Sequence, residues 1–507
     1  MELANFANIA DQVRRHAAGA PRRRALIEGE HELDYGALDL LMDRVAAALQ
    51  RDGLQVGDAI AVNAAMSIDY AAVFLGALRA GVVVAPLAPG STPQSLARMV
   101  SDAQAKLLFI DAASEAVLAG TDLGGITRVT LDGSASARAL YDWLAPAGQR
   151  PMPAAVEPLS PFNIIYSSGT TGQPKGIVQS HAMRWAQVRR FKDYQFGPDA
   201  VTLLSTPLYS NTTLVVFFPA IAFGGTVALL PKFNALAYLQ LAQQHHASHS
   251  MLVPVQYQRL LARPEFDAFD LSSFQVKFST SAPFPAELKA DVLQRWPGAL
   301  IELYGMTEGG GTCILDARQH LTKLHTVGQP AEGHDIRLID EDGVEMPQGA
   351  TGEVVGHSPG MMTGYHRQPD KTREAEWFDT TGKRFIRTGD IGCFDEDGFL
   401  VLMDRKKDVI ISGGFNIYPS DLEAALCGHP AVSEAAVVGM PSEQWGETPA
   451  AFVVLKPDAS TSSDELLQWV NQRVSKIQRL SQLHILDDLP RSAIGKVLKR
   501  ELRQVPS

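Results

Sequence analysis

The stretch Tyr166-Ser167-Ser168-Gly169-Thr170-Thr171-Gly172-Gln173-Pro174-Lys175-Gly176 gathers small, hydroxyl-bearing and cationic residues in one place. Glycine lets a backbone come close to a phosphate and aim its amides at it. The Ser and Thr hydroxyls add donors, and Lys175 adds positive charge, so the composition suits a grip on nucleotide phosphates. A Walker-type loop needs Gly-Lys-Ser/Thr directly before a helix; here Pro174 precedes Lys175 and Gly176 follows it. A plain Gly/Ser surface loop is the other alternative, and it leaves the lysine and the density of hydroxyls unexplained.

Further clusters could do chemistry. They are Tyr304-Gly305-Met306-Thr307-Glu308, Arg387-Thr388-Gly389-Asp390, Asp404-Arg405-Lys406-Lys407-Asp408 followed by Ser412-Gly413-Gly414-Phe415-Asn416-Ile417-Tyr418-Pro419, and Pro490-Arg491-Ser492-Ala493-Ile494-Gly495-Lys496. A carboxylate such as Glu308 is a hard ligand suited to magnesium. Asp390 can accept hydrogen bonds from two hydroxyls, and a flexible ammonium such as Lys496 can draw two anions together. Taken singly, each cluster also has a plain reading: a strand-to-turn junction, a turn aspartate, a solvated charge run, and a lysine opening an amphipathic helix.

Together and in this order the motifs resemble the adenylate-forming superfamily of acyl-CoA and aryl-CoA synthetases, luciferases and peptide-synthetase adenylation domains. The resemblance extends over essentially the whole chain, and the Ser-Ser-Gly-Thr-Thr-Gly-x-Pro-Lys-Gly segment is highly specific to it. It implies that Ser167, Ser168, Gly169, Thr170, Thr171, Gly172 and Lys175 hold ATP, with Tyr304 against the adenine, Thr307 on the α-phosphate and Glu308 helping to hold Mg2+. It also implies that Asp390 binds the ribose hydroxyls and that Arg405 contacts the nucleotide. Lys407 is the implied hinge, and Gly413, Gly414 and Phe415 the implied wall of a tunnel for the pantetheine of coenzyme A. Lys496 takes the place of the family's catalytic lysine, beside Thr307 and Glu308.

By the same resemblance the acyl pocket draws on Trp185, Tyr209, Ser210, Ser281, Ala282, Gly309 and Gly310. None of these is basic, so dicarboxylates are disfavoured, and the small residues around Gly309 are expected to leave room for a ring or a medium chain. Tyr257 belongs either to this pocket or to the core, and His181 is read as a capping or packing residue. The chain departs from the family's pattern at Ser210, where His is frequent, and in the altered glycine-rich turn Ser279-Thr280-Ser281. Asp404 stands where many members have Gly, and Leu480 where many have Pro. None of these changes removes a catalytic group.

The elements that must position these residues are read from apolar periodicity. Leu38, Leu41, Met42, Val45, Ala46 and Leu49 follow helical spacing. Runs such as Ala59 to Val62, Leu107 to Ile110 and Met251 to Val253 are apolar throughout and separated by helices, which indicates parallel strands buried on both faces. Leu214 to Leu230 is apolar but interrupted by Pro219 and Gly224-Gly225, so it reads as a helix, a turn and a short strand rather than a membrane span. Past about residue 330 the pattern becomes half-exposed strands and turns, and a compact α+β segment follows the charge run, ending in a helix from Lys496. The expected fold is α/β: a large layered N-terminal domain with a β-rich subdomain over 1–405, and a small mobile α+β domain over 406–507.

Lys plus Arg total 45 and Asp plus Glu 56, a formal charge of −11, which argues against nucleic acid or an anionic membrane as main partner. Cys313, Cys393 and Cys427 match no zinc spacing and read as reduced thiols of a cytoplasmic protein. The N-terminus lacks the pattern of a signal peptide. The resemblance thus implies an AMP-forming carboxylic acid–CoA ligase working through an acyl-adenylate, with ATP, Mg2+ and coenzyme A, on an aromatic or medium-chain fatty acid. Loading onto a carrier protein is the alternative acceptor reading. A kinase is disfavoured by the missing Walker pattern, and a non-catalytic relative by intact Lys496, Glu308 and Asp390. The expected partners are small molecules, with no nucleic acid and no membrane span; association as a homodimer is left open.

Overall fold

The computed structural model describes residues 6–134, 137–167, 174–412, 415–457, 459–492 and 495–504. The chain forms two compact units, Met1–Leu324 with Pro330–Asp335 and His357–Ile386, and His325–Gln329 with Ile336–Gly356 and Arg387–Ser507.

Two sheets, of nine and eight strands, form the framework of the first unit. In the first sheet, Arg24–Glu28, Thr226–Leu229, Val201–Leu204, His249–Leu252, Val276–Ser279 and Ala299–Gly305 run parallel. In the second, Ala59–Asn63 lies between Val83–Pro86 and Ala105–Ile110, again parallel. Ala59–Asn63 is buried at every position, which is why its run is apolar rather than alternating. The helix Tyr35–Arg51 buries Leu38, Leu41, Met42, Val45, Ala46 and Leu49 as their spacing predicts, and Asp34 caps it by accepting from the Ala37 N–H. Between the sheets Phe218 meets Phe74 and Phe162 edge-on, at 5.6 and 5.0 Å between ring centres. The apolar stretch near residue 220 is the helix Asn211–Ala222, which continues through Pro219, followed by the strand Thr226–Leu229. No helix among the described residues is long and apolar enough to cross a membrane.

In the second unit the strands Val432–Ser442 and Gly446–Leu455 pair antiparallel, and Gln482–Leu486 runs parallel to the latter. The helices Pro419–Cys427 and Ser463–Asn471 pack Leu422, Leu426, Leu466 and Val470 against Val437 and Val453. The helix expected from Lys496 begins instead at Lys499. The Ser492 N–H donates to the Lys496 carbonyl at 2.8 Å, and the Lys496 N–H donates to Ser492 Oγ at 3.2 Å, so Lys496 closes a turn and cannot join the helix.

Two departures from the family's pattern have local reasons. The Leu480 side chain is buried in this core; its N–H donates to Asn471 Oδ1 at 2.8 Å, while Asn471 Nδ2 donates back to the Leu480 carbonyl at 3.0 Å. Proline has no N–H and could not complete that pair. Asp404 Oδ2 accepts from the Ser420 N–H at 2.7 Å, at the start of the helix Pro419–Cys427, where a carboxylate also meets the positive end of the helix dipole.

In the first unit, the strand Ala299–Gly305 leads into the Thr307-Glu308 segment and is anchored by a buried ion pair between Glu302 and Lys289. Lys289 Nζ also donates to the Leu324 carbonyl at 2.7 Å. Burial pushes the Glu302 carboxyl up to about 7 against the pull of Lys289. Lys289→Met leaves that carboxylate buried and unanswered, so it should cost about 3–5 kcal/mol. Because the folded-state pKa of Glu302 is raised, the loss should grow as pH rises from 6 to 8. Urea unfolding followed by tryptophan fluorescence checks this, with Lys289→Met/Glu302→Leu expected to recover most of the stability; a neutral single variant would contradict the role of the pair.

Candidate active site

The phosphate-loop motif sits on a hairpin. The strand Pro161–Ser167 pairs antiparallel with Lys175–Ser180, placing Ser167 opposite Lys175 and Tyr166 opposite Gly176. The motif thus joins two strands, unlike a Walker loop, which runs into a helix. Ser168, Gly169, Thr170, Thr171 and Gly172 lie outside the described residues. Gly176 must be glycine because a Cβ there would come 2.8 Å from Ile164 Cγ2. Past the second strand, Ser180 caps the helix His181–Arg190 through the Met183 N–H. His181 packs edge-on against Phe162, with ring centres 4.8 Å apart, and burial takes its imidazole down to about 4; its part is packing, and the cap belongs to Ser180.

Tyr304 lies on the strand Ala299–Gly305, opposite Cys313, and the chain then turns through Thr307 and Glu308. Gln179, on the second strand of the hairpin, donates its Nε2 to the Thr307 carbonyl at 2.7 Å. The short strand Gly364–Tyr365 pairs with the same hairpin strand, Tyr365 opposite Ile177. Tyr365 donates its hydroxyl to Glu308 Oε1 at 2.9 Å, and Lys175 Nζ stands 5.0 Å from the centre of the Tyr365 ring. The structure therefore brings together Ser167, Lys175, Thr307 and Glu308 through two residues that sequence reasoning missed, Gln179 and Tyr365. Neither carries a motif of its own; the available signal was only their position beside the hairpin, which needs the fold.

Among the described residues no group of three or more His, Cys, Asp or Glu side chains is arranged to hold a metal ion. Glu308 can offer a magnesium ion one carboxylate, oriented by Tyr365. That fits an ion whose other ligands are triphosphate oxygens and water.

The residues assigned to the acyl pocket divide. Ser210 Oγ accepts from the Thr212 N–H and caps the helix Asn211–Ala222, so serine here is a helix-start residue as well as a departure from His. Burial raises the Tyr209 hydroxyl to about 12. Ser281 adopts φ 79°, a left-handed conformation that favours glycine, and its Oγ is 2.6 Å from Thr212 Oγ1. Ala282 follows it on the same turn. Trp185 is buried in the main core. Tyr257 is also a core residue, donating its hydroxyl to the Phe278 carbonyl at 2.9 Å and stacking on Phe284. Gly309 has φ 75°, and a methyl group there would collide with the Gly360 carbonyl oxygen and with Met183. Its missing side chain thus admits a neighbouring chain segment, held further by Ser358 Oγ donating to the Gly309 carbonyl at 2.6 Å. Gly310 is buried beside it.

In the second unit Arg405 Nε and Asp390 Oδ1 form an ion pair at 3.1 Å across the antiparallel strands that bear them. Glu353 anchors the neighbourhood by accepting from Arg387 at 3.0 Å and Lys406 at 3.2 Å. Burial brings the Lys496 ammonium down to about 8, helped by the charges of Arg405 and Lys407 and opposed by Asp390 and Asp408. Lys407 lies within this unit. Phe415 is exposed and stands opposite Ser412; Gly413 and Gly414 lie outside the described residues.

The chain is similar to known proteins over nearly its whole length. Residues 13–366 match the AMP-binding enzyme family, and residues 421–496 the AMP-binding enzyme C-terminal domain. The chain is similar to a feruloyl-CoA synthase of Amycolatopsis sp, at 31% identity over 97% of this chain and 97% of the relative. It is similar to the indoleacetate–CoA ligase of Aromatoleum aromaticum, at 31% identity over 98% of each. Among solved structures, the amide bond synthetase McbA from Marinactinospora thermotolerans superposes with a TM-score of 0.85 at 28% identity, covering 98% of this chain and 99% of that one. With both family matches falling on the hairpin, the Tyr304–Glu308 turn and the lysine-bearing unit, the chain belongs to the AMP-binding enzyme family.

Proposed function

We propose that the protein is an AMP-forming carboxylic acid–CoA ligase acting on an aromatic or fatty acid. The observation that carries this is that one unit gathers Lys175, Thr307 and Glu308 around Gln179 and Tyr365, while the other bears a lysine, Lys496, whose ammonium is weakened by burial. In the first half-reaction a carboxylate oxygen of the acid attacks the α-phosphorus of ATP, the bond to the β-phosphate oxygen breaks, and acyl-AMP and pyrophosphate form. Lys175 and the hydroxyls of the hairpin hold phosphate oxygens. The ammonium of Lys496 offsets charge where the carboxylate and the α-phosphate meet, and Asp390 and Arg405 hold the ribose side of the nucleotide. Glu308, oriented by Tyr365, would bind magnesium, whose charge offsets that of the triphosphate.

In the second half-reaction the CoA thiol, losing its proton, attacks the acyl carbon and AMP departs. Lys407 is the hinge of the change between the two steps, with Lys496 serving the first and the Gly413-Gly414-Phe415 segment assigned to the thiol in the second. Keeping the adenylate covered limits its hydrolysis. The likeness to an amide bond synthetase favours one second reading, in which an amine rather than a thiol accepts the acyl group. A carrier-protein thiol is the third acceptor.

Pyrophosphate release from ATP with a panel of benzoates, cinnamates and fatty acids, with and without CoA, tests the proposal: one acid class should turn over, CoA should accelerate it, and AMP should be the product. Pyrophosphate that is insensitive to CoA moves the acceptor to an amine or carrier protein, and ADP as product defeats the proposal. Lys496→Ala should lower adenylate formation by at least about 100-fold while sparing thioester formation from supplied acyl-AMP; equal loss in both steps contradicts the assigned role. Because the Lys496 ammonium is the active form and its pKa lies at about 8, the adenylation rate should fall as pH rises through 8. A flat single-turnover profile from pH 7 to 9.5 would contradict that.

A further inference from the structure

The helix His181–Arg190 presents Met183, Ala186 and Arg190 on one side, spaced three and four residues apart. Met183 lies against Gly309, and both Met183 and Ala186 lie against Gly360. One turn further on, Arg190 Nη1 donates to Thr312 Oγ1 at 2.9 Å. Arg190 thus stands at the end of the Gly309–Thr312 segment to which the acyl pocket is assigned.

Its surroundings lack an answering charge. Burial lowers the guanidinium to about 10, opposed by Tyr194. Arg190 Nε is buried without a hydrogen-bond partner. Among the described residues no carboxylate pairs with it. His334 lies close by: its imidazole is held near 4 chiefly by burial and further by the charges of Arg190 and His357, and its buried Nδ1 also lacks a partner. Arg79 of the same unit pairs with Asp39 and Asp43. Arg184 shares the lack of a carboxylate, and its Nη2 is buried without a partner, but its Nε and Nη1 donate to the amide oxygens of Asn163, Gln187 and Asn211, where Arg190 has the Thr312 hydroxyl. A withdrawn cation with no counter-charge costs free energy that an anionic ligand would return, and a guanidinium fork fits a carboxylate or phenolic oxygen.

We propose that Arg190 is a specificity-determining residue whose guanidinium donates to an oxygen at the far end of the acid substrate, so that the preferred acids carry there a second carboxylate or a phenolic oxygen. This rests on the reading of the first unit as the acyl-binding part of an acid-activating enzyme, and it reverses the expectation that the pocket has no basic residue. Thr312 accepts one arm of the fork and aims it, leaving Nε and the remaining amine for the ligand.

Benzoate, 4-hydroxybenzoate and terephthalate are the probes, sharing a ring and differing at its far end. ATP–pyrophosphate exchange gives kcat/KM for each with the wild type, Arg190→Met and Arg190→Lys. In the wild type, terephthalate or 4-hydroxybenzoate should exceed benzoate, and which of the two leads tells carboxylate from phenolic oxygen. The ratio of the better probe to benzoate should fall at least about 100-fold in Arg190→Met, with part restored in Arg190→Lys. A wild type that prefers benzoate, or a ratio that changes by less than about threefold, overturns the proposal while leaving the ligase reading intact. If none of the three supports exchange, the wider acid panel decides the ligase reading, and calorimetric titration of terephthalate decides the subsite. Tighter binding to the wild type than to Arg190→Met sustains it; equal or undetectable binding overturns it.

Discussion

The hydrogen bond from the Gln179 amide to the Thr307 carbonyl, at 2.7 Å, is the contact that ties the motif-bearing hairpin to the Thr307-Glu308 turn, and the candidate site depends on it. The phosphate-loop hairpin belongs to the eight-stranded sheet, and the strand that delivers Tyr304, Thr307 and Glu308 belongs to the nine-stranded one. Lys175 comes from the former, and Thr307 and Glu308 follow the strand of the latter. Gln179 is fully buried, so its bond is shielded from water and breaking it would leave a carbonyl without its donor, which is expensive. Tyr365 repeats the connection one strand away, pairing its backbone with the hairpin and its hydroxyl with Glu308. The aromatic core around Phe74, Phe162 and Phe218 lies between the sheets and supplies the stiffness these bonds need to act as a fixed geometry rather than a transient one.

Electrostatics divides the labour between the two units. The first gathers Lys175 and Glu308 around Tyr365. The second concentrates Arg405, Lys406, Lys407 and Lys496 beside Asp390 and Glu353. Burial first, and then the neighbouring charges of Arg405 and Lys407, bring the ammonium of Lys496 down to about 8, so its charge is available at neutral pH yet easily lost above it. A lysine in that condition is well suited to a step in which two anions must meet, and poorly suited to being a mere structural cation. The withdrawn Arg190, by contrast, has no carboxylate of its own among the described residues, which marks it for a ligand.

Much of this was legible in the residues. Runs such as Ala59 to Val62 announced parallel, doubly buried strands, and the spacing of Leu38, Leu41, Met42 and Val45 announced the helix Tyr35–Arg51. The order of the motifs carried the family. What was hidden is what depends on contact. Gln179 looks like an ordinary polar residue in a strand, and Tyr365 like an aromatic near a turn, until the hairpin and the Glu308 turn are side by side. Arg190 ends a helix next to Arg189, where a basic pair reads as a favourable complement to the helix dipole, so its orientation toward Thr312 could not be inferred. Lys496 was assigned to a helix because the apolar pattern after it is helical, but the Ser492–Lys496 hydrogen bonds close a turn first. The departures at Asp404, Ser210 and Leu480 looked like changes to function and are at least changes of local support: a helix-start ligand, a helix cap and a core leucine.

The central claim is that a carboxylate oxygen of the substrate becomes bonded to the α-phosphorus of ATP. The measurement that tests it most directly uses an acid labelled with oxygen-18 in its carboxylate, turned over with ATP and CoA, and mass spectrometry of the products. The account predicts that AMP carries one labelled oxygen while pyrophosphate carries none. Label in pyrophosphate or inorganic phosphate, with AMP unlabelled, would mean that the acid attacks a different phosphorus, and would contradict the account at its root.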